Sequence, residues 1–167
     1  VAAVLGAVIV VVLGTYFWRS YSNNKEVEAQ NAIALAQSAF AAQKWEIALN
    51  GDSTGTPGLL KVIEQYGSTK TGNLAKLYAG LAYDRLDKVD EAIKMLEGFA
   101  AQDDKMISPA SIAALGNFYI KNKQTEKGVN LIVKAAEKAD NEAVSPVFLL
   151  QAGQVFETMG QGDKAVE

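Results

Sequence analysis

Gly51-Asp52-Ser53-Thr54-Gly55 is the stretch of this chain whose residue types come nearest to a reactive site. Its G-x-S-x-G spacing is that of a nucleophile elbow, in which a serine stands on a sharp strand-to-helix turn and a histidine takes its proton. The chain contains no histidine, and the residues before Gly51 read as helix, so both the base and the strand are missing. The same glycines could cradle a phosphate. The Gly-Lys-Ser/Thr ending of such a cradle is absent, and the helix that follows is short. By composition Asn50 to Gly58 is a loop rich in glycine, serine and threonine.

The remaining candidates read as structure. Cysteine is absent, which removes disulfides, thiolate ligands and a thiol nucleophile. The absence of histidine removes the commonest general base and the commonest metal ligand. Asp103 and Asp104 are neighbouring carboxylates without the alternating acidic ligands of a calcium loop, and are expected in a solvated turn before Pro109. Glu26 and Glu28 are expected near a helix N-terminus, where negative charge is favoured. Lys121, Lys123 and Lys127 are interrupted by Glu126 and read as a solvated face rather than a nucleic-acid footprint. No catalytic, cofactor-binding or metal-binding residue is expected, and the chain is not expected to be an enzyme.

What remains is the scaffold. The 167 residues are 49% apolar and 21% charged, with only 3 prolines, which suits a folded and largely helical chain. Val1 to Trp18 carries no charge and ends on Tyr16, Phe17 and Trp18 before Arg19. A helix of that length covers about 27 Å, close to the hydrocarbon thickness of a bilayer. The aromatic cluster and the arginine fit its exit into water. An N-terminal transmembrane helix over 1–18 is therefore expected, followed by a spacer over 19–24. Ala2, Gly6 and Gly14 would form a small-residue face for packing on another membrane helix. Because position 1 is valine, a longer natural chain is expected, and the positive-inside rule cannot be applied to orient the span.

Downstream a phrase recurs about 36 residues apart: Gly80-Leu-Ala-Tyr83, Gly116-Asn-Phe-Tyr119 and Gly153-Gln-Val-Phe156. Twelve residues beyond each glycine stands a small residue, Ala92, Gly128 or Ala165, and four further on Leu96 or Ile132. Such spacing suits paired helices: glycine admits the second helix, the aromatic fills the flank, and the small residue marks the closest approach. Short polar connections at 85–91, 122–126 and 159–163 fit tight helix-to-helix turns. Ala36, Trp45 and Ala48 mark a degenerate earlier unit at the same spacing. Tyr83, Phe99, Tyr119 and Phe156 are expected in the core. Tyr78 and Phe118 fall off the packing register and are expected to be partly exposed.

These phrases, AKLYAGLAYDRLDKVDEAIKMLEGF, SIAALGNFYIKNKQTEKGVNLIVKAA and FLLQAGQVFETMGQGDKAVE, resemble the tetratricopeptide repeat (TPR) family over roughly residues 73–167. The family's usual proline at the end of each unit is absent. Pro109 and Pro146 open the following helices instead. The resemblance implies an all-α solenoid of helical hairpins. Its units would be 25–72 (degenerate, with the loop 50–58 inserted), 73–108, 109–145 and 146–167, the last stopping within its second helix, so that a continuation is expected. It also implies a groove made by the first helix of each unit. By family offsets the groove holds Leu74, Leu77, Leu81 and Asp84, then Ala110, Ala113, Asn117 and Ile120, then Val147, Leu150, Gln154 and Glu157. The set most exposed to a partner is Leu74, Leu77, Leu81, Ala113, Asn117, Ile120, Leu150 and Gln154. This lining is mostly apolar and lacks the lysines of a carboxylate clamp. It suits an extended hydrophobic segment or an amphipathic helix, in trans or from this same chain.

With the expected anchor, the architecture looks like single-pass bacterial inner-membrane proteins with a periplasmic TPR domain, the YfgM-like ancillary subunits of the Sec translocon among them. That resemblance implies a membrane-anchored protein-binding scaffold. Its partners would be translocon subunits, periplasmic chaperones or emerging polypeptides, with no cofactor, nucleic acid or small-molecule substrate. The alternative is an organiser of the cell envelope, serving division or outer-membrane assembly machinery.

Overall fold

The computed structural model describes the backbone of residues 2–165 and the side chains of residues 11–165. Among them every regular element is helical: α1 (Ala2–Ala41), α2 (Trp45–Asn50), α3 (Leu59–Tyr66), α4 (Lys70–Arg85), α5 (Val89–Glu97), α6 (Ile107–Lys121), α7 (Thr125–Ala139), α8 (Ser145–Thr158) and α9 (Gly162–Ala165). The chain is all-α, as its patterning predicts.

The N-terminal part of that expectation is corrected. Among the described residues no helix is long and apolar enough to cross a membrane. The apolar run Val11 to Trp18 stands exposed on α1. Beyond it the same rod continues through Arg19, Asn23, Asn24, Lys25 and Glu26 without a break. Residues 19–24, expected as a spacer, are helical and belong to α1. The side chains of Ala2 and Gly6 lie outside the described residues. Gly14 faces open space, since a Cβ built there meets nothing within 4 Å.

α1 joins the body further along, through Ala29, Ile33 and Ala36, all buried. Their spacing places them on one face of the helix, the 3.6-residue signature of an amphipathic rod. With α2, α3 and α4 this face closes a first core around Leu49, Leu59, Val62 and Ala75. A second core joins Ala92, Ile93 and Leu96 of α5 to Phe118 and Tyr119 of α6. A third joins Val129 and Ile132 of α7 to Ala152 and Phe156 of α8. The helices thus stack in chain order, each core linking one hairpin to the next.

The paired small residues do what their spacing suggests. A Cβ built on Gly116 would fall 2.6 Å from the carbonyl oxygen of Gly128, and one on Gly128 would fall 2.4 Å from that of Gly116. At Gly80 the neighbours are Leu96 Cγ at 2.9 Å and the carbonyl of Ala92 at 3.3 Å; at Gly153 the carbonyl of Ala165 is at 3.2 Å. The backbones of α6 and α7 touch, leaving no room for a methyl group.

The turns repeat as faithfully as the helices. Gln43, Asp87, Lys123 and Gly160 all hold positive φ, between 57° and 70°. At each, two backbone bonds close the end of the first helix. The donors Lys44, Lys88, Gln124 and Gln161 reach back to the carbonyls of Ala39, Tyr83, Tyr119 and Phe156. The left-handed residues themselves donate to Phe40, Asp84, Ile120 and Glu157. This is the Schellman arrangement, present four times. It identifies α1–α2 as a hairpin of the same kind as α4–α5, α6–α7 and α8–α9, with the inserted loop and α3 following it.

Candidate protein-binding groove

The first helices α4, α6 and α8 carry the groove candidates, and carboxylates fix the N-terminal ends of α4 and α6. Glu26, deep within α1, receives the backbone N–H groups of Lys70 (2.8 Å) and Thr71 (3.1 Å) and the Thr71 hydroxyl. It therefore caps α4 across the fold rather than its own helix. Asp104 caps α6, accepting from the N–H groups of Met106, Ile107 and Ser108 and from the Ser108 hydroxyl. Burial acts to raise its carboxyl, but the hydrogen bonds from Ser108, Met106 and Ile107 outweigh it and hold Asp104 below its ordinary value. Neither role was visible in the sequence, where Asp104 reads as part of a solvated turn.

The candidates divide by position. Leu74 is half-buried beside an open cavity. Leu77 and Leu81 pack against the second core, and Ile120 against the third. Ala113 is buried. Asn117 accepts a hydrogen bond from the Gln151 side chain at 2.7 Å, which ties α6 to α8. Leu150 is 66% exposed, Val147 62% exposed, and Gln154 is exposed. The apolar lining is thus partly consumed by the chain's own helices at its centre and open at the N-terminal end of α4 and α6 and along α8.

The open end is a cavity of about 480 Å³ between the start of α4, the α5–α6 connection and the start of α6. Leu74, Phe99 and Ile107 supply its apolar lining, and Lys70, Asp103 and Asp104 its charges. Its wall is held by Asn73, which exchanges two hydrogen bonds with the backbone of Ala100, both at 2.8 Å.

Elsewhere polar side chains connect hairpins. Lys121 bridges Asp84 at 3.0 Å and Asp87 at 2.8 Å, and that hydrogen bond and charge hold the Asp87 carboxyl below its usual range. Tyr119 donates its hydroxyl to Glu97 while Lys127 lies 3.7 Å from the centre of its ring. Burial and the Glu97 carboxylate push the Tyr119 phenol up. Phe118, expected to be partly exposed, is buried in the second core. Tyr78 is half-buried, edge-on to Phe40 with ring centres 5.1 Å apart.

The loop that comes nearest to a reactive site is a folded turn. Asp52 accepts from the N–H groups of Thr54 and Thr56 and from the Thr54 hydroxyl, and Gly51 pairs with Pro57. Gly51 has φ +83° and lies against the backbone of Thr56 and Gly58, so only glycine fits there. The Asp52 carboxylate, the base-like group of the stretch, is occupied by these bonds, which hold its carboxyl low. Among the described residues no group of three or more acidic side chains is placed to hold a metal ion.

No family model, no characterised protein and no solved structure matches the chain.

Proposed function

We propose that this chain is a protein-binding scaffold of the TPR type, presenting the exposed faces of α4, α6 and α8 to a segment of another polypeptide. The observation that carries the proposal is the apolar strip that α8 exposes among the described residues. Val147 and Leu150 are both more than half exposed, at the register that Leu74 and Leu77 occupy in α4. Isolated exposed leucines are ordinary; an apolar strip on a helical hairpin, at a register used elsewhere for packing, suits a helix or an extended segment. The four repeated turns and the glycine contacts of the hairpins support the repeat reading. The sequence resemblance supports emerging secretory polypeptides, or the chaperones and channel subunits that meet them on the periplasmic side, as the partner class. A membrane anchor is no part of the proposal.

The test is photo-crosslinking in cells from a reactive side chain placed at Val147 and, separately, at Leu150, both exposed. Discrete adducts with polypeptides, identified by mass spectrometry, are the expected result, those from Val147 suppressed by Leu150→Asp and those from Leu150 by Val147→Asp. Absence of any protein adduct from both positions would sink the scaffold reading.

A further inference from the structure

The cavity at the N-terminal end of α4 and α6 can be read more finely than the groove as a whole. At about 480 Å³ it lies within the range of sites that take small ligands or the anchoring side chains of a peptide. Two classes of ligand are disfavoured by what surrounds it. Helix N-termini ordinarily attract anions, but both helices that open onto this cavity are already capped. Glu26 takes the first N–H groups of α4, and Asp104 those of α6. Their carboxylates add negative charge where a phosphate would have to sit. The rim also lacks the clustered cations that a nucleic acid or an anionic lipid surface requires.

The charged residues of the rim are Lys70, Asp103 and Asp104; Asp104 is engaged by the first turn of α6, which leaves one open charge of each sign. Lys70 and Asp103 both line the cavity, both are exposed, and neither enters an ion pair among the described residues. Between them lies an apolar lining of Leu74, Phe99 and Ile107. Ile107 is 46% exposed and its neighbour Met106 70% exposed, so apolar surface continues out of the cavity.

We infer that this cavity anchors an apolar side chain of a partner polypeptide whose flanking residues carry opposite charges, the acidic one meeting Lys70 and the basic one meeting Asp103. This inference rests on the scaffold reading and narrows it to one site and one peptide chemistry. The chemistry follows from complementarity. The lining rewards removal of a leucine- or phenylalanine-sized group from water, and the rim charges select flanks of opposite sign and steer their approach.

Two acetylated octapeptides serve as probes, identical in a central leucine-phenylalanine pair. One has glutamate and lysine on either side of the pair; the other has serine at both places. Each is titrated to millimolar concentration into the isotope-labelled full chain at low ionic strength, and amide shifts are followed. The expected result is a set of shifts centred on Leu74, Phe99 and Ile107. The charged peptide should bind about threefold or more tightly than the serine peptide, an advantage lost in Lys70→Ser and in Asp103→Ser. Ile107→Ser, at a half-exposed position, should weaken both peptides while leaving the far-ultraviolet spectrum unchanged. Shifts absent at millimolar peptide, shifts centred on Val147 and Leu150 instead, or equal binding of the two peptides would overturn the inference. Crosslinks from Leu150 together with silence at this cavity would sink the inference and leave the scaffold reading standing; no polypeptide adduct anywhere would sink the scaffold itself.

Discussion

Replacing the four hairpin glycines one at a time by alanine should produce a graded loss of stability that follows the distances to the facing helix. In a helix interior the exchange by itself favours alanine by about 1 kcal/mol. Against this stands the new methyl group. At Gly116 it would lie 2.6 Å from the Gly128 carbonyl and 2.9 Å from Ile132 Cγ1; at Gly128, 2.4 Å from the Gly116 carbonyl and 2.5 Å from Ile120 Cγ1. Ordinary contact begins near 3.4 Å, so α6 and α7 would have to part by roughly an ångström in an interior packed like a crystal. Overpacking of this kind costs about 1–3 kcal/mol, and at a backbone oxygen that cannot rotate away the upper end applies. Parting the helices also loosens Val129 and Ile132, both fully buried.

The net effect expected for Gly116→Ala or Gly128→Ala is a destabilisation of about 2 kcal/mol after the propensity gain. In a chain of this size that lowers Tm by roughly 4–8 °C. Gly80→Ala meets chiefly the Leu96 side chain, which can shift, so about half that loss is expected. Gly153→Ala meets only the Ala165 carbonyl at 3.2 Å and should lie within about 0.5 kcal/mol of the parent, because the clash and the propensity gain nearly cancel. Thermal and urea melts followed by circular dichroism give the ranking. If Gly116→Ala and Gly153→Ala melt within a degree of each other, the argument that backbone contact sets these hairpins is wrong.

Three further outcomes are expected. Glu26→Ala should cost about 1–2 kcal/mol, the loss of a helix cap, and should speed amide exchange at Lys70 and Thr71; unchanged exchange there would exclude the cross-fold cap. Lys123→Gly should raise stability by about 0.5–1 kcal/mol, since it relieves a left-handed residue that carries a Cβ, and a loss in urea melts would contradict the turn geometry. Asp104→Asn should lower Tm at neutral pH. Because the folded-state carboxyl lies below its ordinary value of 3.8, its contribution is fully present above that value and lost as pH falls through the folded one. The gap between parent and variant should therefore stay constant at neutral pH and close in acid, and a gap independent of pH would refute the cap.

How far the sequence disclosed this fold depended on whether a feature has a residue-type signature. Close backbone approach demands glycine or alanine, so the pairs Gly80–Ala92, Gly116–Gly128 and Gly153–Ala165 stood out by spacing alone. The turns between them need one left-handed residue, and glycine would have announced it. Here that place is held by Gln43, Asp87 and Lys123 in three of four cases; aspartate favours positive φ only weakly, and glutamine and lysine say nothing of it. Tertiary caps were illegible for another reason. Glu26 and Lys70 are far apart in the chain, and no local pattern records that a carboxylate in one helix will meet the first turn of another. The apolar start of the chain misled through local hydropathy. A run that ends on aromatics and an arginine reads as a span, yet the rod that carries it continues without a break through Arg19, Lys25 and Glu26 into the body. For the groove, family offsets marked the register, but which members stay open depends on what the next hairpin covers.

That last dependence is visible at a single register position. Leu81, Asn117 and Gln154 share one place on α4, α6 and α8. Leu81 packs against the second core, as does Ala114, which stands on the next first helix at the register of Gln151. Asn117 meets Gln151 of the next first helix through an amide-to-amide hydrogen bond. Gln154 is exposed. Apolar and amide positions cannot exchange partners cheaply, because an amide facing Leu81 or an alanine facing Asn117 would leave a polar group partly buried and unmet. The register therefore helps fix the order in which hairpins stack, beyond the stability it adds. The same reasoning gives the exposed Gln154 a preference: a helix that docks along α8 in the manner of α8 upon α6 would gain most by presenting an amide or hydroxyl there, and would lose by presenting leucine.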